Sequence, residues 1–361
     1  MAELKKSSNF ESVYKFFEEL SAKRNHEMIQ KACEEGLWKK TNKYDNNVLH
    51  TACEKGNLGL VKSLIECGCD KEAKNNCGKT PLIRASEKGH LEVVKYLISI
   101  GADKEAKNNN GSTPLICASS DGYLEVVRYL ISAGADKEVK DNDGYTPLLF
   151  ASEKGHLEVV KYLISAGADK EVKANGGYTP LICASWYGCL EVVKYLISIG
   201  ADKEAKNDYG WTPLLFASEK GHLEVVKYLI SVGADKVAKD NDGYTPLLFA
   251  SEKGHLEVVK YLISAGADKE VKANGGYTPL ICASWYGCLE VVKYLISIGA
   301  DKEAKNDYGW TPLLFASEKG HLEVVKYLIS VGANQEAKNK EGKTAFEVAK
   351  GNVRNFLKVY V

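Results

Sequence analysis

A period of 33 residues runs through most of the chain, and no other property narrows its fold as much. Thr-Pro pairs begin at Thr80, Thr113, Thr146, Thr179, Thr212, Thr245, Thr278 and Thr311, each 33 residues after the last. Asn47-Val48 and Thr344-Ala345 extend the register one step at either end, which makes ten units with atypical ends. Such a period belongs to architectures in which each repeat buries its apolar face only by stacking on its neighbours. A longer period lies over it, because residues 140–234 and 239–333 are identical at an offset of 99 residues, or three units. The identity reads either as a recent in-frame duplication or as two identical patches for a dimeric or repeating partner, which would gain avidity.

One unit, residues 141–173, shows the local physics. Asp143-Gly144 is a turn signal, since glycine readily takes positive φ. Thr146 followed by Pro147 is a helix start: the hydroxyl caps a free N–H, and proline at the first helical position loses no hydrogen bond. The pattern predicts a short helix over about 147–154 that ends at Gly155. It predicts a second helix over about 157–166 that is capped by Gly167. Leu157, Val160, Leu163 and Ile164 make the apolar stripe of that second helix, widened by Val159 and Tyr162.

The 33-residue step, the turn with two short helices and the G-x-TPL-x-x-A-x-x-x-G-H-L-E-V-V pattern resemble the ankyrin-repeat family over about residues 42–358. The resemblance implies an all-α ankyrin-repeat solenoid, a turn plus a helix pair per unit. The expected layout is a helical N-terminal cap with a degenerate repeat over 1–41, tandem repeats over 42–338 and a C-terminal capping repeat over 339–361. The N-terminal cap carries an amphipathic helix with Phe10, Val13, Phe16, Phe17 and Leu20, and a second helix over about 26–35. Two departures stand out. The family's histidine after Thr-Pro-Leu survives only as His50 and is replaced by Ile83, Ile116, Leu149 and Leu215, so its turn hydrogen bond must be replaced or absent. Glu105, Glu138 and Glu171 stand where family members often carry an asparagine open to hydroxylation.

Composition excludes several function classes. The 48 basic and 48 acidic residues cancel, so the electrostatic footprint of a nucleic-acid binder is missing and no nucleic acid is expected. No window approaches 18 apolar residues, so no membrane span is expected. The N-terminus is polar, with Lys5 and Lys6, and shows no signal-peptide pattern. The ten cysteines therefore read as reduced thiols in the cytoplasm or the nucleus. His90, His156, His222, His255 and His321 fall no more than one per repeat, too sparse for a metal ligand set. Cys67-Gly68-Cys69 has no paired C-x-x-C partner, so zinc is not expected either. Cys117, Cys183 and Cys282 read as small buried hydrophobes. Ser, His and Asp recur in every unit as scaffold rather than as a triad. No cofactor, metal or catalytic activity is expected.

What remains is recognition. The resemblance implies a concave binding face built from turn tips and first helices. On it lie the residues preceding each Thr-Pro, which are Lys79, Ser112, Tyr145, Tyr178, Trp211, Tyr244, Tyr277 and Trp310. The pairs before helix-ending glycines, Trp186-Tyr187 and Trp285-Tyr286, join them, as do the turn residues Tyr209 and Tyr308. These positions vary between units whose framework is nearly constant, and they are rich in the residue types of interface hot spots. The expected function is a non-catalytic adaptor or scaffold that binds a partner protein, with a stoichiometric enzyme inhibitor as the alternative. The sequence fixes no oligomeric state.

Overall fold

The computed structural model describes residues 2–6 and 9–358. The described residues form helices joined by turns, with no strand among them, and the helices recur as pairs at the 33-residue step. The chain divides into two compact units, Met1–Asn175 and Gly176–Val361, each a stack of helix pairs.

Each pair begins as its sequence dictates. Thr146 caps the helix Pro147–Glu153 by accepting the Leu149 N–H, with Pro147 at the first turn. The same cap recurs at Thr212 on Pro213–Lys220 and at Thr311 on Pro312–Lys319. The second helix is Leu157–Ser165. Its buried residues are Val159, Val160 and Leu163, whereas Leu157 and Ile164 are only half-buried. The seam that packs is thus an adjacent valine pair plus a leucine one turn on, narrower than the stripe predicted from periodicity.

Adjacent repeats are held together by polar clasps repeated along the stack. Glu105 accepts the Asp136 N–H and Glu138 the Asp169 N–H, both at 2.9 Å. These glutamates, which replace the family's asparagine, are therefore structural ties to the next repeat. Histidine supplies another clasp. His156 Nε2 lies 3.0 Å from the Ser120 carbonyl in the first unit, and His222 Nε2 lies 2.9 Å from the Trp186 carbonyl in the second. A carbonyl only accepts, so each Nε2 carries the proton and donates. Gly188 is required beneath His222: its φ is +73°, and a Cβ there would sit 2.6 Å from the ring.

The turns keep an Asx closure whether or not the turn histidine is present. His50 Nε2 reaches the Ala73 and Lys79 carbonyls of the turn that follows it. Asn75 closes that same turn by accepting the Cys77 and Lys79 N–H groups, and where Ile or Leu takes the histidine's place the side chain is buried while the Asx closure remains. Asp141 accepts the Asp143 and Tyr145 N–H groups, and Asn207 accepts those of Tyr209 and Trp211. In the second unit, the turn at Ala273 lacks that side chain and instead has consecutive glycines, Gly275 and Gly276, at φ +81° and +77°.

At the N-terminus, Phe10–Ala22 and His26–Glu34 pack on Leu58–Glu66, burying Val13, Tyr14, Phe17 and Ile29. Burial pushes the Tyr14 phenol far above its ordinary range. At the far end the first helix shrinks to Ala345–Val348, followed by Gly351–Leu357.

Candidate partner-binding face

Three positions of each repeat converge beside the turn tips: the residue before Thr-Pro, the fourth residue of the first helix, and the seventh. In the first unit these positions are mixed, and in one repeat all three are charged. Lys79, Arg84 and Glu87 fill them in one repeat, where Glu87 lies 2.8 Å from Lys79 and 2.7 Å from Arg84, and Arg84 also pairs with Glu54. Although burial opposes it, hydrogen bonding and charge from Lys79 and Arg84 hold the Glu87 carboxyl below its usual range. The face is therefore self-satisfied there. Tyr145 lies further along the same unit, its ring 5.2 Å from that of Phe150.

In the second unit the same positions are mostly aromatic, and the rings form a chain. Tyr178 lies 5.5 Å from Trp186, and Trp186 stacks on Phe216 at 4.9 Å. Trp211 sits between Phe216 at 4.8 Å and Phe249 at 4.3 Å, and Tyr244 closes the chain on Phe249 at 5.0 Å. Ring pairs at such spacings stabilise by about 0.5–1.5 kcal/mol beyond area burial. They line a groove of about 540 Å³. Tyr178, Trp186, Trp211 and Tyr244 are half-buried and offer faces to the groove, whereas Phe216 and Phe249 are buried and support them.

The groove has an acidic wall. Glu219, Asp240, Asp242 and Glu252 line it with a single lysine, Lys220. Lys220 pairs with Glu219 at 3.0 Å and also lies 5.7 Å above the Trp186 ring. Lys253 pairs with Glu252 at 2.8 Å. Asp240 accepts the Asp242 and Tyr244 N–H groups, both on Oδ1, and the neighbouring Trp211 side chain also favours its charged form. Burial nonetheless raises its carboxyl above the ordinary value, against those bonds.

The duplicate of this region is built differently. Tyr277, Trp285, Phe315 and Trp310 repeat the start of the chain, with Trp285 on Phe315 at 4.7 Å and Trp310 on Phe315 at 4.9 Å. The chain stops there, since the next repeat is the divergent last one. It puts Asn339, Glu341, Lys343 and Val348 where Asp240, Asp242, Tyr244 and Phe249 stand 99 residues earlier.

Of the aromatic residues singled out in the sequence, Tyr178, Trp186, Tyr209, Trp211 and Tyr244 meet at one groove. Tyr187, Tyr209, Tyr286 and Tyr308 are the exposed ones, at 48%, 62%, 50% and 59%. Phe216, Phe249 and the acidic wall were not singled out. The available signal was the alternation at the fourth helical position, Cys183, Phe216, Phe249, Cys282, Phe315, which places two phenylalanines in succession once. Cys183 and Cys282 are buried as expected, whereas Cys117 is only partly so. Burial pushes the Cys282 thiol up to about 12.

Six overlapping stretches, 49–141, 133–207, 173–240, 199–273, 237–306 and 298–359, match the family model described as ankyrin repeats (3 copies). No curated protein matches the chain. No helix among the described residues is long and apolar enough to cross a membrane.

Proposed function

The chain belongs to the ankyrin-repeat family, a protein–protein interaction module, and from that premise we propose that it is a non-catalytic adaptor or scaffold that holds a partner protein on the aromatic face of residues 176–361. The carrying observation is the run of packed rings from Tyr178 to Tyr244, in which half-buried Tyr178, Trp186, Trp211 and Tyr244 rest on buried Phe216 and Phe249, flanked by the exposed Tyr187 and Tyr209. Rigid aromatic side chains give large contact area at little entropic cost and dominate binding energetics. Framework positions stay constant from repeat to repeat while these vary, as expected where selection acts on contact rather than on stacking. Ten cysteines outside any disulfide, with Cys77 exposed, suit a reducing compartment, and we place the protein in the cytoplasm or nucleus.

The test is affinity capture from native lysate with the wild type beside a quadruple variant, Trp186→Ala, Trp211→Ala, Trp285→Ala and Trp310→Ala, whose helicity is checked by circular dichroism. A protein retained by the wild type and lost by the folded variant supports the aromatic face. Equal retention by both moves the site elsewhere on the array. Adding the captured partner's own activity assay separates the roles: an inhibitor lowers that activity at one-to-one stoichiometry, and an adaptor leaves it.

A further inference from the structure

We infer that the groove around Trp211 receives an arginine side chain from an extended basic segment of the partner, and that the chain has one such receptor although its sequence contains the surrounding repeats twice. The inference rests on the aromatic-face reading above and names what that face holds.

Three observations carry it. The groove walls are π-faces, with Trp211 flanked by Phe216 and Phe249, and a ring face attracts a cation. The charge of the lining is acidic, four carboxylates against one ammonium. Lys220 and Lys253 offset Glu219 and Glu252, while no ion pair among the described residues engages Asp240 or Asp242. The protein already seats its own cations this way, with Lys220 over Trp186 and Lys253 over Tyr286, 5.6 Å from its ring. A planar guanidinium satisfies the site better than a further ammonium, because it stacks on an indole while its forked N–H groups reach carboxylates. The burial that raises the Asp240 carboxyl leaves an anion that gains from an arriving counter-ion.

The single copy follows from neighbours. Trp310 has the sequence surroundings of Trp211 up to the last repeat, where Asn339 and Lys343 replace Asp240 and Tyr244. There the second phenylalanine is missing and the carboxylate is replaced by an amide, with a lysine added nearby.

The chain has five tryptophans, Trp38, Trp186, Trp211, Trp285 and Trp310, so full-length protein labelled with 5-fluorotryptophan gives a spectrum that single Trp→Phe variants assign. The probe is the peptide Gly-Gly-Arg-Gly-Gly-amide, with the citrulline isostere as its uncharged control. The arginine peptide is expected to move the Trp211 fluorine signal saturably, with Trp285 and Trp310 unmoved, and the citrulline peptide to move none. Asp242→Asn, at an exposed turn position, is expected to weaken the response by up to about fivefold, the range of a single exposed charge pair. Equal shifts with citrulline, equal shifts at Trp310, or no shift at any tryptophan would overturn the inference. If capture from lysate depends on the tryptophans and the arginine titration fails, only this occupant falls. If capture is indifferent to the tryptophans, the aromatic-face reading falls whatever the titration gives.

Discussion

Trp211 and Trp310 occupy the same place in identical stretches of sequence, yet they stand in different surroundings. Trp211 is held between Phe216 and Phe249 beside the Asp240 carboxyl. Trp310 has Phe315 on one side and the divergent last repeat on the other, with Asn339 and Lys343 in that repeat. In a stacked array each repeat touches only its neighbours, so a binding site belongs to a pair of repeats and not to either one. Duplicating three units copies every repeat and yet makes a new junction only where the copies meet. The pairing of the Trp211 repeat with the Tyr244 repeat is that junction.

The strongest way to break this comparison is to delete residues 141–239, one full long period. Every repeat type survives, and the new join, Lys140 to Asp240, reproduces the existing Lys140–Asp141 join because the following residues are identical. The deletion removes only the Trp211–Tyr244 junction. Helical circular dichroism should scale with length, and the fluorine response to the arginine peptide should vanish. A retained response would place the receptor within a repeat.

A smaller effect should appear in stability. Trp211→Ala removes two ring contacts and Trp310→Ala one, so denaturant midpoints should differ by the equivalent of about 1 kcal/mol, one aromatic pair. Equal losses would mean the Phe249 contact contributes nothing.

The residues leading into the two copies also differ at one clasp. Glu138, just before the first identical stretch, ties to the Asp169 N–H, whereas Val237, 99 residues on and just before the second, is 49% exposed and has no carboxylate to offer. Val237→Glu should restore a tie to Asp268 and raise the midpoint by about 0.5–1 kcal/mol, the net value of one hydrogen bond. An unchanged midpoint would show that these clasps set geometry without adding stability.

The least of the effects is a pH dependence. The Asp240 carboxyl sits above its ordinary value because burial disfavours the anion. A raised folded pKa means that the folded state holds its proton more tightly, so this group's stabilising contribution is complete below the unfolded value of about 4. That contribution fades as pH rises through the higher folded value. Asn207 and Asn306 make the same two backbone bonds without a charge. Asp240→Asn should therefore raise stability slightly at neutral pH, flatten its decline above pH 4, and weaken the arginine peptide. Thermal melts from pH 3 to 7 beside the fluorine titration check both signs. A gain in stability with unchanged peptide affinity would remove Asp240 from the receptor.

The helix pairs were legible in the sequence because their signals are local. Thr-Pro starts, glycine ends and the Val-Val-x-x-Leu seam each act within a few residues, and the repeat multiplies them. The clasps were less so: Glu138 reads as a solvated rim until its partner, the Asp169 N–H of the next repeat, is seen beside it. Among the candidate residues, Trp186 and Trp211 were visible as variable aromatics on a constant frame. Phe249 was not, because a phenylalanine in a short apolar helix looks like core. Its role depends on which residue the preceding repeat presents to it, and that is a property of stacking. Two identical patches could be read from the 99-residue identity, whereas the altered neighbour that leaves the second patch incomplete lies beyond its end.

The most direct test of the central claim is a count of sites. Titrating the full chain with the arginine peptide, read at each assigned fluorotryptophan, should give one saturating response per chain, centred on Trp211. Two equivalent responses, one at Trp211 and one at Trp310, would contradict the claim that the junction and not the repeat makes the site.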